Sequence, residues 1–195
     1  MGEAPPSDAD LVRLARQGED QAFGDLVERH QDYIYNAVFH LVGSEKDAED
    51  LAQEVFVRAY EGLGSFEGRA KFTTWVYGIM LNTVRSFWRR QGRRDVVSLD
   101  LARDDPDSPT PEPPADGEGP VRMAIRQEQV SVVRAAIAEL EDDLREILVL
   151  RDIQGFTYDE MAETLAVPQG TVKSRLHRAR QRLKDSLEEF FLDAQ

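Results

Sequence analysis

The chain has 195 residues, of which 41% are hydrophobic and 31% are charged, and its formal net charge is −13. This composition is typical of a soluble globular protein with one or two small domains. The lack of cysteine excludes disulfides and cysteine-ligated zinc, and the three scattered histidines predict neither a metal site nor a cofactor. The acidic N-terminal segment has no apolar core, and no apolar run approaches the roughly 20 residues that cross a bilayer. We therefore expect a cytoplasmic protein that does not insert into a membrane.

Apolar residues recur at helical spacing through the first half of the chain. The pattern predicts four helices, over residues 10–16, 21–42, 44–64 and 73–91. Ser44 is a good N-cap for the third of these helices, with Asp47 in the capping-box position, and Gly62 and Gly64 are typical of its end. No alternating pattern is long enough for a sheet, so we predict an all-α fold.

The third predicted helix has an apolar side and an acidic side. The inward side consists of small and branched apolar residues: Ala48, Leu51, Ala52, Val55 and Ala59. The outward side carries Asp47, Asp50, Gln53 and Glu54. Clustered carboxylates can serve acid–base catalysis or hold magnesium, but no histidine or nucleophile accompanies these. Two interpretations stay open, a solvated surface and a docking surface for a basic partner.

The fourth predicted helix lies in a basic segment, because residues 69–94 contain seven Lys or Arg residues and no acid. Its core side is predicted to be Val76, Met80, Val84 and Phe87, and its other side Trp75, Asn82, Arg85, Ser86 and Arg89. An exposed indole beside an amide and guanidiniums suits single-stranded nucleic acid, and the glycine-containing loop before the helix could hold a flipped base. The alternative places Trp75 and Trp88 in the core and leaves the arginines solvated.

Residues 95–119 carry eight acids against one arginine, and six prolines lie in 100–120. Such a segment buries too little apolar surface to offset the entropy of ordering. We therefore predict a flexible, disordered acidic linker over 95–120 between two small helical domains, 1–94 and 121–195.

The second domain is predicted to contain a helix-turn-helix. Thr157 and Glu160 have capping-box spacing before the helix 158–165, and Pro168 suits the first turn of the next helix. In that helix an apolar stripe is formed by Val172, Leu176, Ala179 and Leu183, opposite Lys173, Ser174, His177, Arg178 and Gln181. Residues 169–184 carry six cations and no acid, which favours binding of DNA over the alternative of a merely solvated amphipathic helix.

Three stretches, in this order and spacing, resemble the extracytoplasmic-function (ECF) sigma factors, the small two-domain members of the bacterial sigma-70 family. The stretch "DAEDLAQEVFVRAY" is similar to the family's polymerase-binding helix, and "FTTWVYGIMLNTVRSFWRRQGRR" to its promoter-melting and −10 recognition segment. The stretch "LREILVLRDIQGFTYDEMAETLAVPQGTVKSRLHRARQRL" is similar to the −35-binding domain. The resemblance implies a non-enzymatic subunit that directs core RNA polymerase to promoters and opens the DNA.

The resemblance also implies a role for each surface. The polymerase-binding residues, facing the clamp helices of the largest subunit, would be Asp47, Asp50, Gln53 and Glu54. The −10 DNA-binding residues would be Phe66, Phe72, Trp75, Asn82, Arg85 and Arg89. The −35 DNA-binding residues would be Arg151, Thr171, Lys173, Ser174, His177 and Arg178. Further expected partners are the polymerase flap and an anti-sigma factor.

The acidic net charge predicts weak binding of the isolated protein to promoter DNA until core polymerase is added. A rival hypothesis is an autonomous helix-turn-helix regulator, which would explain the last helix but neither the Asn82 side nor the acidic helix. A helical scaffold or enzyme is a remoter alternative.

Overall fold

The computed structural model describes residues 5–97 and 120–193 of the chain. Every regular element in these ranges is helical, which confirms the predicted all-α fold for them. The helices are α1 (Asp8–Ala15), α2 (Asp20–Val42), α3 (Glu45–Gly62), α4 (Phe72–Val97), α5 (Pro120–Ala138), α6 (Asp142–Leu148), α7 (Tyr158–Leu165) and α8 (Gln169–Asp193). A short 3-10 turn, Leu63–Ser65, follows α3, and a π-helical turn, Val149–Ile153, continues α6.

Helices α1 to α4 form the first helical unit, residues 5–97, in which α2 packs against α1, α3 and α4. Ser7 and Asp10 form a capping box that starts α1 at Asp8, two residues before the predicted start. The Ser44 hydroxyl accepts the Asp47 N–H at 3.3 Å and caps α3 as predicted. The predicted inward residues of α3 are all buried, as are Val76, Met80 and Val84 of α4, while Phe87 is half-buried against the core.

Helices α5 to α8 form the second helical unit, residues 120–193. Thr157 and Glu160 form the predicted capping box at the start of α7. The turn that follows uses Ala166 in the left-handed conformation, with φ of 53°. Pro168 lies one residue before α8, and its carbonyl accepts the N–H of Thr171 at 2.8 Å. The predicted apolar stripe is confirmed, with Val172, Leu176 and Ala179 buried and Leu183 half-buried.

The two units pack against each other. Helix α4 contacts α7, and α2 contacts both α5 and the π-helical turn. The Tyr77 ring of α4 lies 4.7 Å from the Phe156 ring, centroid to centroid. Helix α4 continues to Val97 and α5 begins at Pro120, so the ends of the predicted linker are helical. The rest of that linker, residues 98–119, lies outside the described residues.

Candidate polymerase and promoter surfaces

The outward side of α3 combines carboxylates with apolar surface. Asp50 and Gln53 are exposed, whereas Asp47 and Glu54 are half-buried. The Glu54 carboxylate accepts a 2.5 Å hydrogen bond from Arg58, one turn along the helix. Part of the predicted acidic cluster is therefore already neutralised within α3, and Asp50 and Gln53 are its most exposed members.

Two exposed apolar residues of α3 were missed by the sequence reasoning. Val57 is 58% exposed and Tyr60 is 50% exposed. At about 100° per residue both fall on the same side of the helix as Asp50 and Gln53, so a full helical projection could have found them. The Tyr60 hydroxyl donates to Asp20 at 2.8 Å, and this hydrogen bond raises the pKa of Tyr60.

The aromatic residues at the start of α4 form a packed cluster, and the expectation of an exposed indole was wrong. Phe66 and Phe72 are buried, at 7% and 4% exposure. Trp75 is half-buried, with its ring 4.9 Å from that of Phe66 and 5.9 Å from that of Phe72. The 3-10 turn and the loop after it cover this side of α4, so the alternative placement of Trp75 against the core is confirmed. Trp88 also packs against the core.

A cleft of about 810 Å³ opens between α1 and the loop before α4. Phe66 and Phe72 line it from the loop side together with Lys71, and Val12 and Arg16 line it from α1. The Arg16 guanidinium donates to the carbonyls of Phe66, at 3.1 Å, and of Gly64, at 3.3 Å. Arg16 thus ties α1 to the loop and fixes the shape of the cleft. The cleft is large enough for an unstacked base, and α1 had been assigned no role from the sequence.

The polar residues along α4 differ in their surroundings. Asn82 and Arg89 are exposed, and the Arg89 guanidinium donates to the Ser86 hydroxyl at 2.9 Å. Asn82 is not among the residues that line the cleft. Arg85 donates two hydrogen bonds, from Nε at 2.6 Å and from a terminal nitrogen at 2.5 Å, to the carboxylate of Glu146 on α6. The expectation that Arg85 faces solvent beside Asn82 was therefore wrong in this arrangement.

Glu146 is 2% exposed. Burial raises the pKa of the Glu146 carboxyl, and the hydrogen bonds from Arg85 oppose that rise. The same hydrogen bonds raise the pKa of Arg85, which stays charged. The pair is a bidentate, charge-assisted contact between the two helical units.

The outward side of α8 is exposed as predicted. Lys173, Ser174, His177 and Arg178 are all exposed, and Thr171 is half-buried at the N-terminal end of the helix. The Ser174 hydroxyl donates to the Thr171 carbonyl at 3.0 Å. These residues are brought together on one side of a helix that follows a tight turn, which is the arrangement that enters a DNA major groove.

Arg151, the other residue of the predicted −35 set, has an internal role. It is half-buried, donates to the Phe156 carbonyl at 2.6 Å, and lies 5.0 Å from the centre of the Tyr158 ring. These contacts brace the turn before α7.

The cations of α8 have partners that lie outside residues 169–184. Arg180 forms two hydrogen bonds with Asp152, and Arg175 lies 3.3 Å from Asp143. Arg178 lies 3.6 Å from Glu141, the N-cap of α6, and Lys184 lies 3.4 Å from Glu188 at the far end of α8. The segment that carries only cations in the sequence therefore has acids beside it in the structure.

Within residues 5–97 and 120–193, no group of three or more His, Asp or Glu side chains is placed to hold a metal ion. No helix in the same ranges has both the length and the apolarity needed to cross a membrane.

The fold and these surfaces define a helical DNA-binding protein with a helix-turn-helix in its second unit. Residues 26–94 match the family model for sigma-70 region 2, and residues 131–183 match that for sigma-70 region 4. The chain therefore belongs to the sigma-70 family, and within it to the ECF sigma factors that its relatives represent. The region 2 match leaves out α1.

Two relatives resemble the chain over nearly its whole length. The RNA polymerase sigma-H factor of Pseudomonas aeruginosa is 35% identical over 187 residues, which is 96% of this chain and 97% of that protein. The ECF sigma factor SigW of Bacillus subtilis is 32% identical over 176 residues, 90% of this chain and 94% of that protein.

Two solved structures resemble the described fold. The structure of CnrH in complex with the cytosolic domain of CnrY has a TM-score of 0.69 and 27% identity, and the match covers 93% of this chain and 97% of that chain. The sigma factor RpoE of Bartonella quintana, in complex with the anti-sigma factor NepR, has a TM-score of 0.67 and 26% identity. This match covers 85% of this chain and 96% of that chain. The protein is an ECF RNA polymerase sigma factor that directs promoter recognition and transcription initiation, and sigma factors of this kind are non-catalytic.

Proposed function

We propose that α3 is the helix through which this sigma factor docks on core RNA polymerase. Its exposed side joins the acid Asp50 and the amide Gln53 to the apolar surface of Val57 and Tyr60. A small apolar centre with charged edges is the usual composition of a protein–protein interface. The clamp helices of the largest subunit are the expected partner, and the flap is the expected partner of the second unit. Because core RNA polymerase is its proposed partner, we expect the protein to act in the cytoplasm.

The first unit binds the −10 element as a separated strand. The cleft between α1 and the loop takes one unstacked base, with Phe66 and Phe72 as its apolar wall and Lys71 at its edge. Asn82 and Arg89 contact the strand further along α4, since both are exposed there.

The second unit binds the −35 element as duplex, and the exposed row on α8 carries this assignment most directly. Lys173, Ser174, His177 and Arg178 lie opposite a stripe of buried apolar residues. The helix can therefore place these four side chains in a DNA groove while its apolar side stays packed in the second unit.

An anti-sigma factor regulates the protein. The solved complexes of CnrH with CnrY and of RpoE with NepR support this proposal, because both sigma factors are similar to this chain along most of its length.

Reconstituted transcription with core polymerase and a promoter library tests these roles. We expect Lys173→Ala and Arg178→Ala each to weaken duplex binding about tenfold, in line with about 1–3 kcal/mol for a base-reading contact. Asn82→Ala should leave duplex binding unchanged and reduce the fraction of open complexes. Arg182→Ala is the matched control, because Arg182 is an exposed cation at the edge of the same side of α8. Wild-type transcription by all of these variants would contradict the assignments.

A further inference from the structure

Lys173 differs from most of the other cations of α8 in what lies beside its side chain. Acids lie 2.5 to 3.6 Å from four of those cations: Arg175, Arg178, Arg180 and Lys184. Within the described part of the chain, Lys173 forms no such ion pair. Its ammonium instead lies 5.7 Å from the centre of the Tyr158 ring, which belongs to the preceding helix α7. The neighbour of Lys173 is therefore an aromatic ring and not a carboxylate.

A ring and a carboxylate hold an ammonium with different consequences for DNA binding. A carboxylate accepts hydrogen bonds from the ammonium and offsets its charge. An aromatic ring attracts the ammonium through its negatively polarised face, and it accepts no conventional hydrogen bond. Tyr158 can therefore orient Lys173 while the charge and the N–H donors of the ammonium remain available to nucleic acid.

The ring lies at the end of α8 that matters for reading bases. Tyr158 is the first residue of α7, and Lys173 is the fifth residue of α8. Side chains lean toward the N-terminus of their helix, so contact with the ring keeps the ammonium over the first turns of α8. The Gln169 amide donates to Asp159 at 2.7 Å and ties the first turns of the two helices together. The N-terminal residues of a recognition helix are those that contact base edges.

A second cation fixes the Tyr158 ring. The Arg151 guanidinium lies 5.0 Å from the centre of this ring and also donates to the Phe156 carbonyl at 2.6 Å. Arg151 and Tyr158 are both half-buried. Rotation of the ring away from Lys173 would also disturb its contact with Arg151, so the ring has few alternative orientations.

We propose that Tyr158 is a positioning residue for −35 recognition, because its ring holds the Lys173 ammonium ready for one base pair while Arg151 holds the ring. A lysine side chain has many rotamers, and ordering it before binding lowers the entropy lost when the contact with DNA forms. Tyr158 thereby strengthens the choice of base at the position that Lys173 reads. The DNA part of this inference rests on the proposed function of α8, whereas the contact between the ring and the ammonium does not.

The signals of the lysine side chains test the contact directly. The chain has only four lysines, so isotope-labelled lysine gives a small set of signals in a nuclear magnetic resonance spectrum of the whole chain. We expect the Tyr158 ring to shift the ε-methylene protons of Lys173 upfield, and Lys173→Arg identifies the signal by removing it. Tyr158→Leu should abolish the upfield shift, and Tyr158→Phe should keep it. A Lys173 signal without this shift in the wild-type protein would overturn the proposal, even if Tyr158→Leu failed to fold.

The base preference of reconstituted polymerase tests the consequence for DNA. Core polymerase with each sigma variant selects from a pool of duplexes randomised across the −35 element, and the position whose preference Lys173→Ala removes is the one that Lys173 reads. A guanine is expected there, because lysine donates to its O6 and N7 atoms. We expect Tyr158→Leu to weaken this preference about two- to fivefold, the range for an exposed cation–π contact, and to leave the other positions unchanged. Tyr158→Phe is the conservative variant and should retain the wild-type preference.

A double variant separates positioning of Lys173 from general support of the fold. In a Lys173→Ala background, Tyr158→Leu should have no further effect on base preference. An equal loss in both backgrounds, a loss spread evenly over all positions, or the same loss from Tyr158→Phe would overturn the proposal. If Lys173→Ala altered no base preference, the proposed role of Lys173 would fail, and the lysine signal would still decide whether Tyr158 holds this side chain.

Discussion

The two proposed nucleic-acid surfaces of this sigma factor contain similar residues but differ in what covers them. On α8 the predicted row Lys173, Ser174, His177 and Arg178 is exposed. On α4 and its preceding loop, Arg85 and Lys71 are bound to acids of the other unit, and the aromatic residues are packed. The difference teaches that a basic helix is available to DNA only where its neighbours in space leave it uncovered.

The largest effect is expected from reversing the charge at the centre of the interface. Arg85→Glu places a second carboxylate beside Glu146 and should lower the free energy of unfolding by about 2 kcal/mol. This is less than for a fully buried pair, because the Arg85 side chain remains 37% exposed. Chemical denaturation measures the loss. The double variant Arg85→Glu with Glu146→Arg should recover part of it, and strictly additive losses would contradict a direct pairing.

Loss of the tie between α1 and the loop should affect the first unit alone. Arg16→Ala removes two hydrogen bonds from a charged donor to loop carbonyls and should cost about 1–2 kcal/mol of stability. We expect fewer open complexes in permanganate footprinting and unchanged binding of −35 duplex. Arg13→Ala is the matched control, because Arg13 also lines the cleft but makes neither of these two bonds. If the Arg16 variant and wild type opened the promoter equally well, the bonds from Arg16 would not be needed for the function of the cleft.

A pH effect is expected at the junction of α2 and α5. Burial, and secondly the charge of Arg134, lower the pKa of His40 from its ordinary value of 6.5. The folded protein keeps His40 neutral while the unfolded chain takes up a proton, so stability is full above pH 6.5 and falls as the pH drops toward the lowered pKa. At pH 5.5 the loss is at most about 1.4 kcal/mol, one pH unit below the ordinary value.

Comparing wild type with His40→Asn isolates this effect, because every other titrating group, including Glu146, is shared by both proteins. The stability difference between the two should change between pH 7.5 and pH 5.5 in the direction that disfavours wild type. A constant difference across that range would show that His40 does not change its protonation on unfolding.

The smallest effect is expected from a change inside the second unit that leaves the contacts between the two units in place. Ala166 adopts a left-handed backbone conformation at the end of α7, where glycine carries no steric cost. Ala166→Gly should raise stability by about 0.5–1 kcal/mol and leave the distance between the units unchanged. Thermal unfolding followed by circular dichroism measures this, and a loss of stability would indicate that the turn is not strained.

Local patterns in the sequence were sufficient for the helices and for the surface of α8. The Thr157–Glu160 capping box and the stripe containing Val172 and Leu176 depend only on residues a few positions apart, so helical spacing predicts them. The row on α8 was predicted for the same reason, because its exposure follows from the position of the stripe.

The surface of α4 could not be predicted in this way. A projection of one helix contains no information about the loop that covers Trp75 or about Glu146, which lies 61 residues beyond Arg85. Both errors arose where residues outside α4 pack onto it. The role of α1 was missed for a related reason, since the Arg16 bonds reach loop carbonyls 48 and 50 residues away.

The distance between labels on Asp32→Cys in the first unit and Glu163→Cys in the second, measured before and after core polymerase is added, tests the difference between the two surfaces most directly. We predict a short, narrow distance in the free sigma factor and a longer one once core polymerase is bound, as α4 is released for the −10 strand. A long distance in the free protein, or a short one that persists in complexes with open promoter DNA, would contradict the account.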